Sequence, residues 1–276
     1  MHQERWGDER VEKSVPQVKI VFFDIDNTLY DPNKKVPEST VEALQALKEK
    51  GIATAIATGR SPFMFQELRE KLGIDSYVSF NGSYVVYKKE PIYKKHLPKD
   101  VLERLEQEAR ARDQRLVFLN ERTMRSDGEI NAKVKEGINS LKLPYPLPEI
   151  EPDFYCKEDV YQSLLFYGEQ DDHAYLNEAP LDSFDYVRWH PYAVDVIPKN
   201  GSKAFGISQM LQILQLSREE TAAFGDGYND VEMLRFVGTG VAMGNAVAAA
   251  KKAADEVTRP VDQDGIYYGL KKIGLI

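Results

Sequence analysis

Apolar positions fall into two textures along the chain. Ile20–Phe23 is an unbroken apolar run, and Ile52–Ala57, Tyr77–Phe80 and Thr221–Phe224 repeat the pattern. Short continuous runs of this kind suit strands buried on both faces of a parallel sheet. Between the first two runs, Val41, Leu44 and Leu47 recur at helical spacing, and Gly51 supplies a stop. Ser39-Thr40-Val41-Glu42 has capping-box spacing, so this helix is expected to open there. A second helix is expected after Pro62, closed by Gly73. Strand–helix–strand alternation predicts an α/β fold with a doubly wound, mostly parallel sheet.

The texture changes after Gly82. Tyr84–Tyr87 and Ile92–His96 read as short strands around a charged turn, followed by a charged amphipathic helix from Lys99 to Asp113. Strand signals return at Arg115–Asn120 and Tyr161–Phe166, and Tyr186–His190 with Ala193–Ile197 resembles an antiparallel pair. The run Leu143-Pro144-Tyr145-Pro146-Leu147-Pro148 excludes a helix interior. Alternation resumes after Pro198, with a helix over Lys203–Leu214, a strand near Thr239–Ala242 and helices over Ala246–Ala254 and Gly265–Ile273. The expected organisation is a flexible extension over 1–17, a sheet domain over 18–83 and 197–276, and an α+β insert over 84–196.

Composition narrows the function classes. The 276 residues are 42% apolar and 11% aromatic, enough for one large or two medium domains. A net charge of -8 argues against nucleic-acid binding. No run approaches the roughly 18 apolar residues of a membrane span. The single cysteine, Cys156, excludes an intrachain disulfide and fits a reducing cytoplasm. It is expected to be half-buried and without a chemical role. Met1–Gln17 is charged and lacks the apolar core of a signal peptide.

The chemistry concentrates in Asp24-Ile25-Asp26-Asn27-Thr28-Leu29, directly after the first apolar run. Two carboxylates then stand at the C-terminal end of a buried strand, where open parallel sheets keep their ligands. Burying both is costly without a cation, so the pair points to a metal site. Thr58-Gly59, Lys203 and Gly225-Asp226-Gly227-Tyr228-Asn229-Asp230 also fall at expected strand ends or helix starts. A carboxylate can act as a nucleophile, and grouped oxygens can hold Mg²⁺. A hydroxyl with backbone N–H groups can bind phosphate at a helix start, and a lysine can offset its charge. Taken alone, Thr58 reads as a helix cap, Lys203 as a solvated lysine and Gly225-Asp226-Gly227 as a turn. Their joint order favours phosphoryl transfer. Arg60 reads equally well as a carboxylate partner or a solvent-facing residue.

This order of segments resembles the haloacid-dehalogenase-like phosphatases across nearly the whole chain after Gln17. Asn81-Gly82, Met243-Gly244-Asn245-Ala246 and Asp264-Gly265 resemble the Cof-type subgroup, whose α+β cap is inserted between the second and third motifs. The resemblance implies Asp24 as nucleophile and Asp26 as general acid, then base. It implies Mg²⁺ on the Asp24 and Asp226 carboxylates and the Asp26 carbonyl, supported from behind by Asp230. Ile25, Thr58, Gly59, Lys203 and Asn229 would hold the phosphate. The insert would act as a lid, with Arg125, Arg188, Trp189, His190 and Tyr192 as candidates for substrate selection. Asn27 stands where the family usually has glycine, and asparagine tolerates a left-handed backbone.

The implied activity is Mg²⁺-dependent hydrolysis of small phosphate esters, sugar phosphates or a cofactor precursor, through an aspartyl-phosphate. The expected partner is that small molecule, with no nucleic acid or membrane, and the expected state is a monomer or homodimer. Phosphotransfer to another acceptor and non-catalytic binding of a phosphometabolite are the competing readings. A dehalogenase is disfavoured by the acid at Asp26.

Overall fold

The computed structural model describes residues 17–142, 145–176 and 184–276. The expected N-terminal extension, apart from Gln17, lies outside them, as do Leu143 and Pro144. The first strands are β1 (Ile20–Phe23), β2 (Ala53–Ala57), β3 (Tyr77–Ser79), β4 (Tyr84–Tyr87) and β5 (Glu90–Lys94). The middle of the chain adds β6 (Arg115–Leu119), β7 (Met124–Ser126), β8 (Glu149–Ile150), β9 (Gln162–Phe166), β10 (Phe184–His190) and β11 (Ala193–Pro198). β12 (Thr221–Gly225), β13 (Thr239–Ala242) and β14 (Glu256–Val257) follow.

Among the described residues these strands form two sheets. One has eight strands in the order β14-β13-β12-β1-β2-β3-β4-β5, the other six in the order β10-β11-β9-β6-β7-β8. β1 lies between β2 and β12 and is parallel to both. β2 pairs parallel with β3, and β12 with β13. Every residue of β1 and β12 is buried, which explains their unbroken apolar sequences. Phe23 lies opposite Phe224 in the register, and their rings stack at 5.3 Å. The chain leaves β1 in one direction to β2 and returns on the other side at β12. Such a reversal opens a crevice at the carboxyl ends of the two central strands.

Two boundaries differ from expectation. β4 and β5 continue the eight-stranded sheet, antiparallel to β3, so the insert begins beyond Lys94 and not at residue 84. The chain reverses between β3 and β4 through Gly82, whose φ is +100° and whose absent Cβ would lie 2.2 Å from the Ser202 carbonyl oxygen. The charged texture of β5 is that of an edge strand, which water covers on one side. At the other end, β11 carries the insert to Pro198. The first helix also starts differently, at Glu38 with Pro37 as cap. Ser39 caps nothing; its hydroxyl donates to Asp264 at 2.6 Å. Pro62 opens a single 3-10 turn, Pro62–Phe65, ahead of the helix Gln66–Leu72.

The six-stranded sheet has two different faces. Leu102, Leu105 and Ala109 of the helix Lys99–Ala111 pack with Leu116, Phe118, Leu165, Val194 and Val196 on one of them. The alternate residues Val117, Leu119 and Leu164 join the core shared with the large sheet, as period-2 alternation requires. Tyr161 stacks on Phe80 at 5.6 Å, and Ser61 donates to the Asn120 carbonyl at 2.7 Å, so insert and sheet domain are in contact. Cys156 is exposed and not half-buried, because Phe154 and Tyr155 take the inner side of its short helix. No described helix is long and apolar enough to cross a membrane.

Candidate active site

The carboxyl ends of three neighbouring strands carry the polar residues. β1 runs straight into Asp24, β2 into Thr58, and β12 ends at Gly225 just before Asp226. Asp24 N–H donates to the Phe224 carbonyl at 3.0 Å, which extends the β1–β12 ladder to the acidic residue itself. Carboxylate oxygens of Asp24, Asp226 and Asp230 lie within 4.8 Å of one another. Lys203, the first residue of the helix Lys203–Leu214, reaches them from below. Ser202 caps that helix by accepting from the Phe205 N–H at 3.1 Å. The lysine is fully buried, and its Nζ donates to Asp24 and, at 2.7 Å, to Asp230.

Asp230 uses its other oxygen to accept from the N–H groups of Asp226 and Gly227, at 2.9 and 2.8 Å. Both of its oxygens are therefore engaged in holding Lys203 and the loop that presents Asp226. A Cβ on Gly225 would sit 2.5 Å from the Asp230 Cγ, so only glycine leaves room for this carboxylate.

The electrostatics are unbalanced. Burial raises Asp24 most; Lys203 pulls it back, and Asp230, Asp226 and Asp26 push it up again, well above the ordinary carboxylate range. Asp226 is pushed up to about 7 by burial and then by Asp230, against Lys203 and Asn27. Burial alone would depress Lys203, but Asp230 and Asp24 outweigh it and raise its pKa. One ammonium thus fails to neutralise the cluster. An all-oxygen donor set with excess negative charge fits a hard divalent cation such as Mg²⁺.

Asp26 stands in the opposite field. Burial pushes its carboxyl up, yet Arg60 and Lys34 outweigh burial and hold it below the usual range. Arg60 grips it with two bonds, Nε at 2.8 Å and Nη2 at 2.9 Å, and Lys34 adds a third. Arg60 is therefore a carboxylate partner. Asn27 occupies the left-handed region at φ 60°, and its carbonyl accepts from Asn245 Nδ2 at 2.9 Å. Asn245 in turn accepts from the Val261 N–H at 2.8 Å, which ties the Met243–Ala246 segment to the acidic loop.

A cleft of about 500 Å³ opens over this cluster. Asp24, Asp26, Thr58, Gly59, Asp226 and Asn229 line its floor. Thr58 is buried, and its hydroxyl accepts from the Arg60 N–H at 3.1 Å. Ile25 lies beneath, buried, with its carbonyl accepting from the Tyr30 N–H at 2.8 Å. The roof comes from the insert: Leu119, Gln162, Leu164, Trp189 and Asp195.

Among the insert residues expected to select substrate, only Trp189 lines this cleft. Arg125 reaches Glu151 at 3.3 Å and Glu149 at 3.4 Å. Arg188 pairs with Asp172 and lies 4.7 Å over the Tyr167 ring. His190 accepts from the Tyr192 N–H at 3.2 Å through Nδ1 and stands 4.0 Å from Glu136 through Nε2. These long side chains take partners inside the insert, though Arg188 Nε is left without one, and none of the three lines the cleft. Gln162 and Asp195 escaped notice. Their signal was a polar residue opening β9 and another interrupting the apolar run of β11.

The chain matches the family model for haloacid dehalogenase-like hydrolases over residues 21–270. YkrA of Bacillus subtilis (strain 168) is 45% identical over 258 residues, which cover 94% of this chain and 98% of that protein. The crystal structure of a Geobacillus kaustophilus HTA426 protein, 47% identical, superposes with a TM-score of 0.89 and covers 94% of this chain and 100% of its own. The HAD subclass IIB sugar phosphatase BT4131 is 34% identical, with a TM-score of 0.81 and coverage of 94% and 100%. The match runs from the first strand of the large sheet into the last helix, and the chain belongs to the haloacid dehalogenase-like hydrolase family.

Proposed function

We propose that this hydrolase is a Mg²⁺-dependent phosphatase acting on small phosphorylated metabolites through an aspartyl-phosphate on Asp24. One observation carries the reading: a fully buried Lys203 bridges Asp24 and Asp230 in a crevice where Asp226 leaves negative charge uncompensated. The likeness to a sugar phosphatase supports the substrate class. One cysteine and no disulfide fit a cytoplasmic enzyme.

The Asp24 and Asp226 carboxylates and the Asp26 carbonyl would hold Mg²⁺, which supplies the positive charge that lets a phosphate dianion approach an acidic cluster. Lys203, Thr58, Asn229 and the backbone N–H groups of Ile25 and Gly59 would orient that dianion. Asp24 attacks phosphorus, and the bond to the leaving oxygen breaks as Asp26 hands that oxygen a proton. Asp26, now a carboxylate, takes a proton from water. The water oxygen attacks phosphorus, the bond to Asp24 breaks, and inorganic phosphate leaves. Arg60 and Lys34 favour the anionic Asp26 that this second step needs. The first step needs a protonated Asp26, so it requires those two cations to release their hold. Gln162, Trp189 and the apolar roof would limit the access of bulk water.

The test is phosphate release from p-nitrophenyl phosphate. Release is expected with Mg²⁺, none after chelation, and recovery when Mg²⁺ returns. An active enzyme that is indifferent to chelation, or a folded protein inert at every Mg²⁺ concentration, refutes the proposal.

A further inference from the structure

The roof of the cleft contains polar groups that the hydrolytic steps do not use. Leu119 on β6 lies opposite Gln162 on β9, and Leu164 lies opposite Asp195 on β11. Gln162 and Leu164 are two residues apart on one strand and share a face. That face, with Trp189 from the bulged end of β10, forms the wall across from Asp24.

These groups are poorly satisfied. Gln162 is 4% exposed, and its Oε1 has no hydrogen-bond partner; nor does the Trp189 indole N–H. Asp195 is pushed up to about 7 by burial, eased only by the neutral Trp189 and Gln162 side chains. With the indole N–H geometrically unpartnered, its effect on Asp195 is a dipole's approach and not a formed bond. Arg60 is the one cation among the described lining residues, and Asp26 occupies it. Both atoms are closed to solvent, so a leaving group reaches them only when the Gln162 and Trp189 side chains turn toward the cleft, where pairing would remove the cost of leaving them unpartnered.

We infer that Asp195, Gln162 and Trp189 form a leaving-group subsite that selects phosphate monoesters whose leaving group donates hydrogen bonds and carries no second anion. This rests on the phosphatase reading and narrows its substrates to phosphate monoesters of neutral polyols and of amino alcohols, whose ammonium carries no second negative charge. Once ionised, above about pH 7, the Asp195 carboxylate is an acceptor, as is the Gln162 carbonyl oxygen, so they call for O–H or N–H groups. Trp189 offers a flat apolar surface to C–H groups and a donor to one ligand oxygen. Leu119 and Leu164 frame the space. A second phosphate or a carboxylate would face Asp195 with no cation to receive it, a like-charge encounter that binding sites reject.

The test compares kcat/KM for D-glucose 6-phosphate, p-nitrophenyl phosphate, fructose 1,6-bisphosphate and 3-phosphoglycerate. The wild type is expected to prefer glucose 6-phosphate over the two multiply anionic esters by about 10-fold or more. Asp195→Asn keeps the shape and removes the charge. It should lower the ratio of glucose 6-phosphate to p-nitrophenyl phosphate efficiency by about 10- to 100-fold, chiefly through KM. Gln162→Leu should lower the same ratio and serves if Asp195→Asn does not fold. Unchanged ratios in the folded variants, or a wild-type preference for the multiply anionic esters, overturn the subsite while leaving the phosphatase reading intact. No turnover of any of these esters strikes the phosphatase reading itself, and the subsite with it.

Discussion

Asp24 and Asp26 stand one residue apart and experience opposite fields. Asp24 faces Lys203 and three carboxylates, whereas Asp26 faces Arg60 and Lys34. The strand ends before Asp24, Thr58 and Asp226 and the helix start at Lys203 were legible in the sequence, because apolar runs mark those elements. The hydrogen-bond partners of each carboxylate were not, since they depend on which oxygen meets which donor. Asp230 shows this: both of its oxygens are committed to Lys203 and to backbone N–H groups. Asp195 makes a prediction at this scale. Its carboxyl titrates at about 7 in the fold, against an ordinary 3.8, so the folded state binds the proton more tightly. The stability this group confers is full below its unfolded pKa and is lost as pH rises through the folded value. Asp195→Asn removes that loss. Its unfolding free energy should therefore gain on the wild type between about pH 4 and about pH 7 in urea titrations. A difference independent of pH contradicts the burial of this charge.

At the scale of elements, β1 and β12 act as a matched pair. Their register places Phe23 against Phe224, so their next residues emerge side by side. Gly225 ends β12 and makes room for Asp230. Gly225→Ala should destabilise the protein by about 1–3 kcal/mol and reduce turnover, because the Asp230 carboxylate must move. Denaturant unfolding and kcat measured together check this, and an alanine variant equal to wild type in both contradicts it. The buried parallel strands were readable because an unbroken apolar run has few other uses. β4 and β5 were misassigned because the exposed, charged edge strand β5 makes the hairpin resemble a separate unit. The apparent capping box at Ser39 failed for another reason: Pro37 already starts the helix, and Asp264, distant in sequence, takes the serine hydroxyl. Contacts of that range leave no local trace.

At the scale of the whole molecule, two sheets face each other across one cleft and supply different chemistry. The eight-stranded sheet gives the charged floor and the six-stranded sheet the roof. The floor itself stays acidic, because Lys203 is spent on Asp24 and Asp230, and Arg60 and Lys34 on Asp26. The roof was the part least legible in the sequence. Arginines and histidine were conspicuous there but found partners within the insert, whereas Gln162 and Asp195 were hidden in strands that otherwise read as core.

The most direct test of the central claim is acid-quench trapping of phosphate on the protein during turnover of a radiolabelled monoester with Mg²⁺. The wild type should carry protein-bound label during the steady state. Folded Asp24→Asn should carry none, and its turnover should fall by on the order of 10⁴-fold or more. Labelled protein or near-normal turnover in Asp24→Asn would contradict the assignment of Asp24 as the group that attacks phosphorus.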